Sequence, residues 1–237
     1  MHVLSDESKV RRAITEERVG KEALLSTKLF RNRTSNLGLV TQNVQWLMLM
    51  GTSFVVSAYL QVVRGYNAIQ TGVIFTAATL GILVSSLAAG RLARRFQQRT
   101  LILAGFVTTI AGVGFLLGIV KHSPSAWAFA PGLLLIGLGL GVMLTPSVNV
   151  VQSAFPEERQ GEISGLSLSV SNLGSCLGTA VAGTILVSGL TTPTRSYALA
   201  MIVVGAIGFG GLAAAAFLRN PDPVQMAGAA SPPRRDR

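Results

Sequence analysis

Six apolar stretches, each about the length of a bilayer-spanning helix, alternate with short polar breaks along this 237-residue chain. A helix needs about 20 mostly apolar residues to cross the hydrocarbon core. The pattern places spans at Leu37–Val63, Ala68–Ala89, Thr100–Val120, Ala126–Ala154, Ile163–Ser188 and Ser196–Leu218, none of which contains Asp, Glu, Lys or Arg. The breaks carry turn and charge signals: "RGYN", "GRLARRFQQR", "KHSPS", "FPEERQGE" and "SGLTTPTR". The fold class read from this pattern is all-α, a polytopic membrane protein with six transmembrane helices. A polar N-terminal segment (1–36) precedes the six-helix bundle (37–218). A tail rich in Pro, Ala and Arg (219–237) follows and is expected to be disordered.

Composition agrees: 13% of residues are charged, against about 25% in soluble domains. The net charge of +10 could suggest a nucleic-acid partner. Its distribution argues otherwise. With six spans both chain ends lie on one side, which takes 17 Lys and Arg, leaving three (Arg64, Lys121 and Arg195) on the other. Positive residues stay cytoplasmic, so both termini are expected in the cytoplasm, with the protein in the plasma (inner) membrane. Topology then accounts for the charge and no nucleic acid is needed. Trp127 and Tyr197 fall at outer helix ends, where aromatic belts sit. The first 36 residues contain no early apolar run of signal-peptide type. Cys176, the single cysteine, lies in an apolar run and is expected to be a small packing residue.

Helices in lipid associate through small residues at four-residue spacing. Such rows occur at Ala77, Gly81, Ser85 and Ala89, at Gly174, Gly178 and Ala182, and at Ala206, Gly210 and Ala214, while Gly137, Gly139 and Gly141 cluster in the fourth span. Gly81, Gly174, Gly178 and Gly210 are the expected packing glycines. Pro146 removes a backbone donor within the fourth span and is expected to kink it. Polar residues inside the spans are the exceptions: Gln42, Asn43 and Gln45 in the first, Asn149 and Gln152 late in the fourth, and Asn172 with Ser171 and Ser175 in the fifth. An amide facing lipid without a partner costs several kcal/mol. These eight residues are therefore candidates for a substrate cavity. Interhelical hydrogen bonding is the competing role, favoured for Gln42 and Gln45, while Asn172 leans to the cavity. Met48, Met50 and Met143 are expected to pack rather than line a pocket.

The spans hold no nucleophile with a base, no paired acids and no metal-ligand spacing, so an enzyme, a metal site and a cofactor are not expected. They also lack the buried ionisable residue that ion coupling usually needs.

Four stretches in order carry a family resemblance: "LFRNRTSNLGL" (29–39), "YLQVVRGYNAIQTGV" (59–73), "AAGRLARRFQQRTLILAG" (88–105), and the run from "PGLLLIGLGLGVMLTPSVNVV" through "PEERQGEISGL" to "NLGSCLGTAVAGTIL" (131–186). Residues 24–218 resemble the C-terminal half of a major facilitator superfamily transporter, most closely the fourteen-helix drug:proton antiporters of bacteria. The resemblance implies two inverted three-helix repeats. It implies multidrug or small-molecule export, proton-coupled in the complete form. It also implies a second six-helix half, either a separate N-terminal half or a second copy, carrying most of the acidic coupling residues. The alternative is a truncated, membrane-inserted product with no transport of its own. The family's inner-loop signature, Gly-x-Leu-Ala-Asp-Arg-x-Gly-Arg-Arg, is matched by Gly90, Leu92, Ala93, Arg95 and Arg99. Arg94 stands in place of the Asp and Gln97 in place of the Gly. An Asp there can pair with a basic residue and latch one conformation; Arg94 reverses the charge, so that latch is not expected.

Overall fold

The computed structural model describes residues 33–120, 125–155, 159–188 and 192–218. The tail and nearly all of the polar N-terminal segment lie outside the described residues. Six long helices make up the bundle: α1 (Arg33–Ala58), α2 (Ala68–Arg95), α3 (Gln98–Val120), α4 (Ala130–Gln152), α5 (Gln160–Val187) and α6 (Pro193–Ala216). All six are long and apolar enough to cross a membrane. No strand occurs among the described residues.

Local chemistry sets the helix ends. One turn of π-helix (Tyr59–Val63) extends α1. Gly65 then turns the chain at φ 70°, where a Cβ would be strained. Asn67 starts α2 with a reciprocal cap: its Oδ1 accepts from Gln70 N (2.8 Å), and its own N–H donates to Gln70 Oε1 (3.0 Å). Prolines open α4 and α6, where a missing N–H costs nothing. α4 runs on through Pro146.

The "GRLARRFQQR" stretch is a correction to the loop expected there. α2 continues through Arg95, and only Phe96 and Gln97 separate it from α3. Arginines suit a helix C-terminus, whose free carbonyls carry partial negative charge, so the charge that marks the membrane boundary does not end the helix. Arg99 then ties α3 to the end of α6, donating from Nη2 to Ala216 O at 2.6 Å.

The helices pack mainly between repeats, although α5 also touches α6 within the second. α1 lies on α5 and α6, α4 lies on α2 and α3, α3 lies on α6, and α1 touches α4. Exchanging α1–α3 with α4–α6 reproduces this set of neighbours. Because each repeat has an odd number of helices, the second enters from the opposite side, as inverted repeats do. The main core sits where α1, α3, α4 and α6 cross, around Met48, Phe106, Leu140, Met143 and Val204, all buried. The packing expected of Met48 and Met143 is met.

Glycine sets the closest approaches. Gly174 and Gly178 press α5 onto α1, so a Cβ on either would run into Asn43 O or Leu47 O. On α4, Gly137 and Gly141 face Ala78 and Ile82 of α2, while Gly139, halfway between, faces Gly105 and Thr109 of α3. Gly81 completes the α2–α4 seam against Leu134 O.

Three expectations are corrected. Gly210 points outward with open space around it, and α6 packs instead through Gly208, against Met48, and Gly211, against Val44 and Phe106. Cys176 is exposed on the outer face of α5 rather than packed. Tyr197 is buried rather than part of a belt, its ring centroid 4.3 Å from that of Tyr59. α6 begins at Pro193, ahead of the expected Ser196, so Tyr197 lies a turn inside the helix and turns inward. Trp127 is exposed, as a belt residue would be.

Candidate functional site

The two helices at the edges, α2 and α5, bury least of themselves. Between α1, α4 and α5, toward the end that holds the first described residues, lies a cavity of about 280 Å³. A small apolar cluster of Leu39, Val151, Ile163 and Leu166 from the same three helices packs at that end.

Five of the candidate residues meet in this cavity with their neighbours. Gln42 and Gln45 reach it from α1, Gln152 from α4, and Ser171 and Asn172 from α5, joined by Ser164 and Ser167. Trp46, Leu144, Val148 and Leu168 complete an apolar wall. The polar groups are positioned across helices. Ser167 Oγ donates to Gln42 Oε1 at 2.7 Å, and Gln152 Nε2 donates to Ser164 Oγ at 3.2 Å. Gln160 Nε2 donates to Gln152 O at 3.0 Å and closes the α4–α5 turn. Along α5, Ser171, Ser175 and Thr179 each donate to the carbonyl four residues earlier. Their hydroxyls are thereby satisfied without a partner helix.

Gln45 differs from this set. It is 2% exposed, and its Oε1 accepts no hydrogen bond. A buried amide oxygen without a donor costs about 1–3 kcal/mol. Asn172 differs in the opposite sense, being exposed at the cavity.

Three candidates stand apart. Asn43 Nδ2 donates to Val170 O at 2.9 Å and fastens α1 to α5. Ser175 is half-buried and bonded along its own helix. Asn149 is exposed away from the cavity lining. Gln42 does both things weighed for it, bonding across helices and lining the cavity.

A second cavity of about 430 Å³ opens farther along α1, between α1, α2 and α5, with Ser53, Ser57, Gln61, Thr71 and Thr179 among its walls. Met50 lines it rather than packing into the core, which corrects the expectation for that residue. Gln42, Trp46, Met50, Ser53, Ser57 and Gln61 follow one another at three- and four-residue steps. Both cavities therefore lie along one face of α1. Sequence reasoning missed the second half of this stripe. Its signal was the step pattern of Ser53, Ser57 and Gln61 inside the expected span Leu37–Val63.

Among the described residues Glu162 is the sole carboxylate. It lies in the first turn of α5, 3.5 Å from Arg159 Nε. No metal-ligand group forms among the described residues. Of the signature residues, Gly90 sits in open space, Leu92 is half-buried, and Ala93, Arg94 and Arg95 are exposed on the last turn of α2. No latch partner for Arg94 occurs among the described residues. Arg99 is bonded to α6 instead.

Comparison with known proteins adds a framework. The Major Facilitator Superfamily model matches residues 38–234. The chain is similar to the multidrug resistance protein Stp of Mycobacterium tuberculosis, 28% identical over 89% of this chain and 42% of that protein. It is 30% identical to the puromycin resistance protein pur8 of Streptomyces alboniger, over 73% of this chain and 35% of that protein. It is 28% identical to the multidrug efflux pump LfrA of Mycolicibacterium smegmatis, over 68% and 32%. The chain thus spans well under half the length of these relatives.

Proposed function

This chain belongs to the Major Facilitator Superfamily, and on that premise we propose that it forms one half of a small-molecule export pathway. The observation that carries the reading is the convergence of amides and hydroxyls from α1, α4 and α5, with the Trp46 ring, on one cavity. Apolar walls with a few placed polar groups suit an adaptable organic substrate. The relatives' names, multidrug and puromycin resistance among them, support export as the direction. A second six-helix half completes the pathway over the faces of α2 and α5 that leave Leu80, Leu83, Leu173 and Leu177 exposed. Proton coupling belongs to groups on that second half, because the one described carboxylate, Glu162, sits at a helix end, paired with Arg159.

The test is efflux of a fluorescent dye from cells expressing the assembled transporter. Asn172→Leu is expected to slow efflux up to about tenfold at unchanged protein level, the effect of losing one hydrogen bond to substrate. Unchanged efflux would leave Asn172 a structural residue and remove the cavity from the pathway.

The same reading places both chain ends in the cytoplasm. Among the described residues Arg91, Arg94, Arg95, Arg99 and Arg159 lie at the end of the bundle where α1 begins and α6 stops, and Arg64 and Arg195 lie at the other. A phosphatase reporter fused after Arg237 is expected to be inactive, and a green fluorescent reporter at the same position bright. The reverse pattern would invert the topology.

A further inference from the structure

Arg94 and Arg95 lie in the last turn of α2, and Arg91 stands three and four residues before them, so it neighbours both on the helix surface. With Leu92 and Phe96 they line a groove of about 470 Å³. All three arginines are exposed, and among the described residues none of their guanidinium groups has an acidic partner. The nearby charges do not compensate them. Arg99 is engaged by Ala216 O, and Glu162 is paired with Arg159. Some of this charge serves the helix, since Arg94 and Arg95 lie where free carbonyls favour cations. That role leaves the donors of three planar forks facing the groove. Phe96 adds a half-exposed ring beside them, at the point where the apolar span meets its polar boundary.

We propose that this groove is a binding site for the phosphate headgroup of an anionic phospholipid, with Phe96 against the upper acyl chain. A guanidinium matches two phosphate oxygens at once, and three lining one groove offer a single phosphate more donors than a diester has acceptors. The position selects lipid over a soluble anion: the groove opens beside the exposed Val84 and Leu87 of the same helix, so an occupant meets an apolar surface directly below its charge. Diffuse attraction between basic residues and a charged leaflet would be non-saturable. A groove lined by three arginines predicts one lipid bound per chain. The inference does not depend on transport.

Native mass spectrometry of the purified full chain with dioleoyl phosphatidylglycerol and dioleoyl phosphatidylcholine tests it. One phosphatidylglycerol is expected to be retained per chain at concentrations where phosphatidylcholine is lost. Each basic residue at a charged surface contributes about fivefold, so Arg94→Gln should weaken retention about fivefold and the triple Arg91→Gln, Arg94→Gln, Arg95→Gln variant about a hundredfold. These side chains are exposed, so the variants should keep the elution volume of the parent. Arg195→Gln, at the opposite end, should change nothing. Equal retention of both lipids, or retention unaffected by the triple change, overturns the proposal. So does displacement of the lipid by inorganic phosphate at similar concentration, which would assign the groove to a free anion.

Discussion

Gly178→Leu is expected to separate α5 from α1 and to leave little folded protein in detergent, while Gly210→Leu leaves the bundle intact. The two glycines look alike in sequence, each within a row of small residues at four-residue spacing. In the structure a Cβ at residue 178 would run into Leu47 O and lie 3.0 Å from Gly51 N, both backbone atoms that no rotamer change can move. A Cβ at residue 210 meets nothing within 4 Å. Overpacking a core against movable side chains costs about 1–3 kcal/mol. Against backbone, the cost at Gly178 should reach or pass the top of that range. Relief requires α5 to retreat, which would break the Ser167–Gln42 and Asn43–Val170 bonds that span the same seam. Fluorescence-detected size exclusion after a temperature ramp separates the cases: a large drop in melting temperature for Gly178→Leu, and none for Gly210→Leu. Equal behaviour of the two would show that α5 is not held by close backbone approach.

That contrast also shows where sequence was enough. The six spans follow from apolar length alone, because a helix satisfies its own backbone in lipid and unbroken apolar runs of about 20 residues are too long for barrel strands. Their ends do not, since Arg91–Arg95 extend α2 and the start of α6 comes a turn early. Charge marks the membrane boundary, whereas capping and the helix dipole decide where a helix stops. Rows of small residues are legible as rows, but α6 carries Gly205, Gly208, Gly210 and Gly211 around its circumference. Only its neighbours choose which face is buried. For the cavity, Gln42, Gln45, Gln152 and Asn172 were legible because an amide in a span needs an explanation. Trp46, Leu144, Val148 and Leu168 were not, because an apolar residue facing a cavity and one facing lipid satisfy the same hydrophobic pattern. Asn43 and Asn149 show the converse limit. Polarity in a span points to a partner or to water, and only the fold distinguishes Val170 O from an exposed helix face.

Gln45→Met should raise stability and lower transport, and Gln42→Met should lower stability. The two glutamines are three residues apart on α1, both buried and both at the cavity. Methionine is close to glutamine in length and volume, so packing is preserved and the amide alone is removed. At Gln42 this strips the acceptor from Ser167 Oγ, a buried bond of 2.7 Å, at a cost of about 1 kcal/mol. At Gln45 it removes an amide oxygen that accepts nothing in the folded chain, so the desolvation penalty of about 1 kcal/mol or more is relieved. A buried polar atom left unpaired in a native protein calls for a function. Under the proposed export function the cavity offers one: a donor on the substrate, or on the second half of the pathway, would complete Gln45 Oε1. Gln45→Met should then slow dye efflux several-fold in protein that melts at the same temperature or higher, a combination that loss of fold cannot produce. If Gln45→Met lowers the melting temperature as far as Gln42→Met does, its amide is paired within the bundle and has no part in transport.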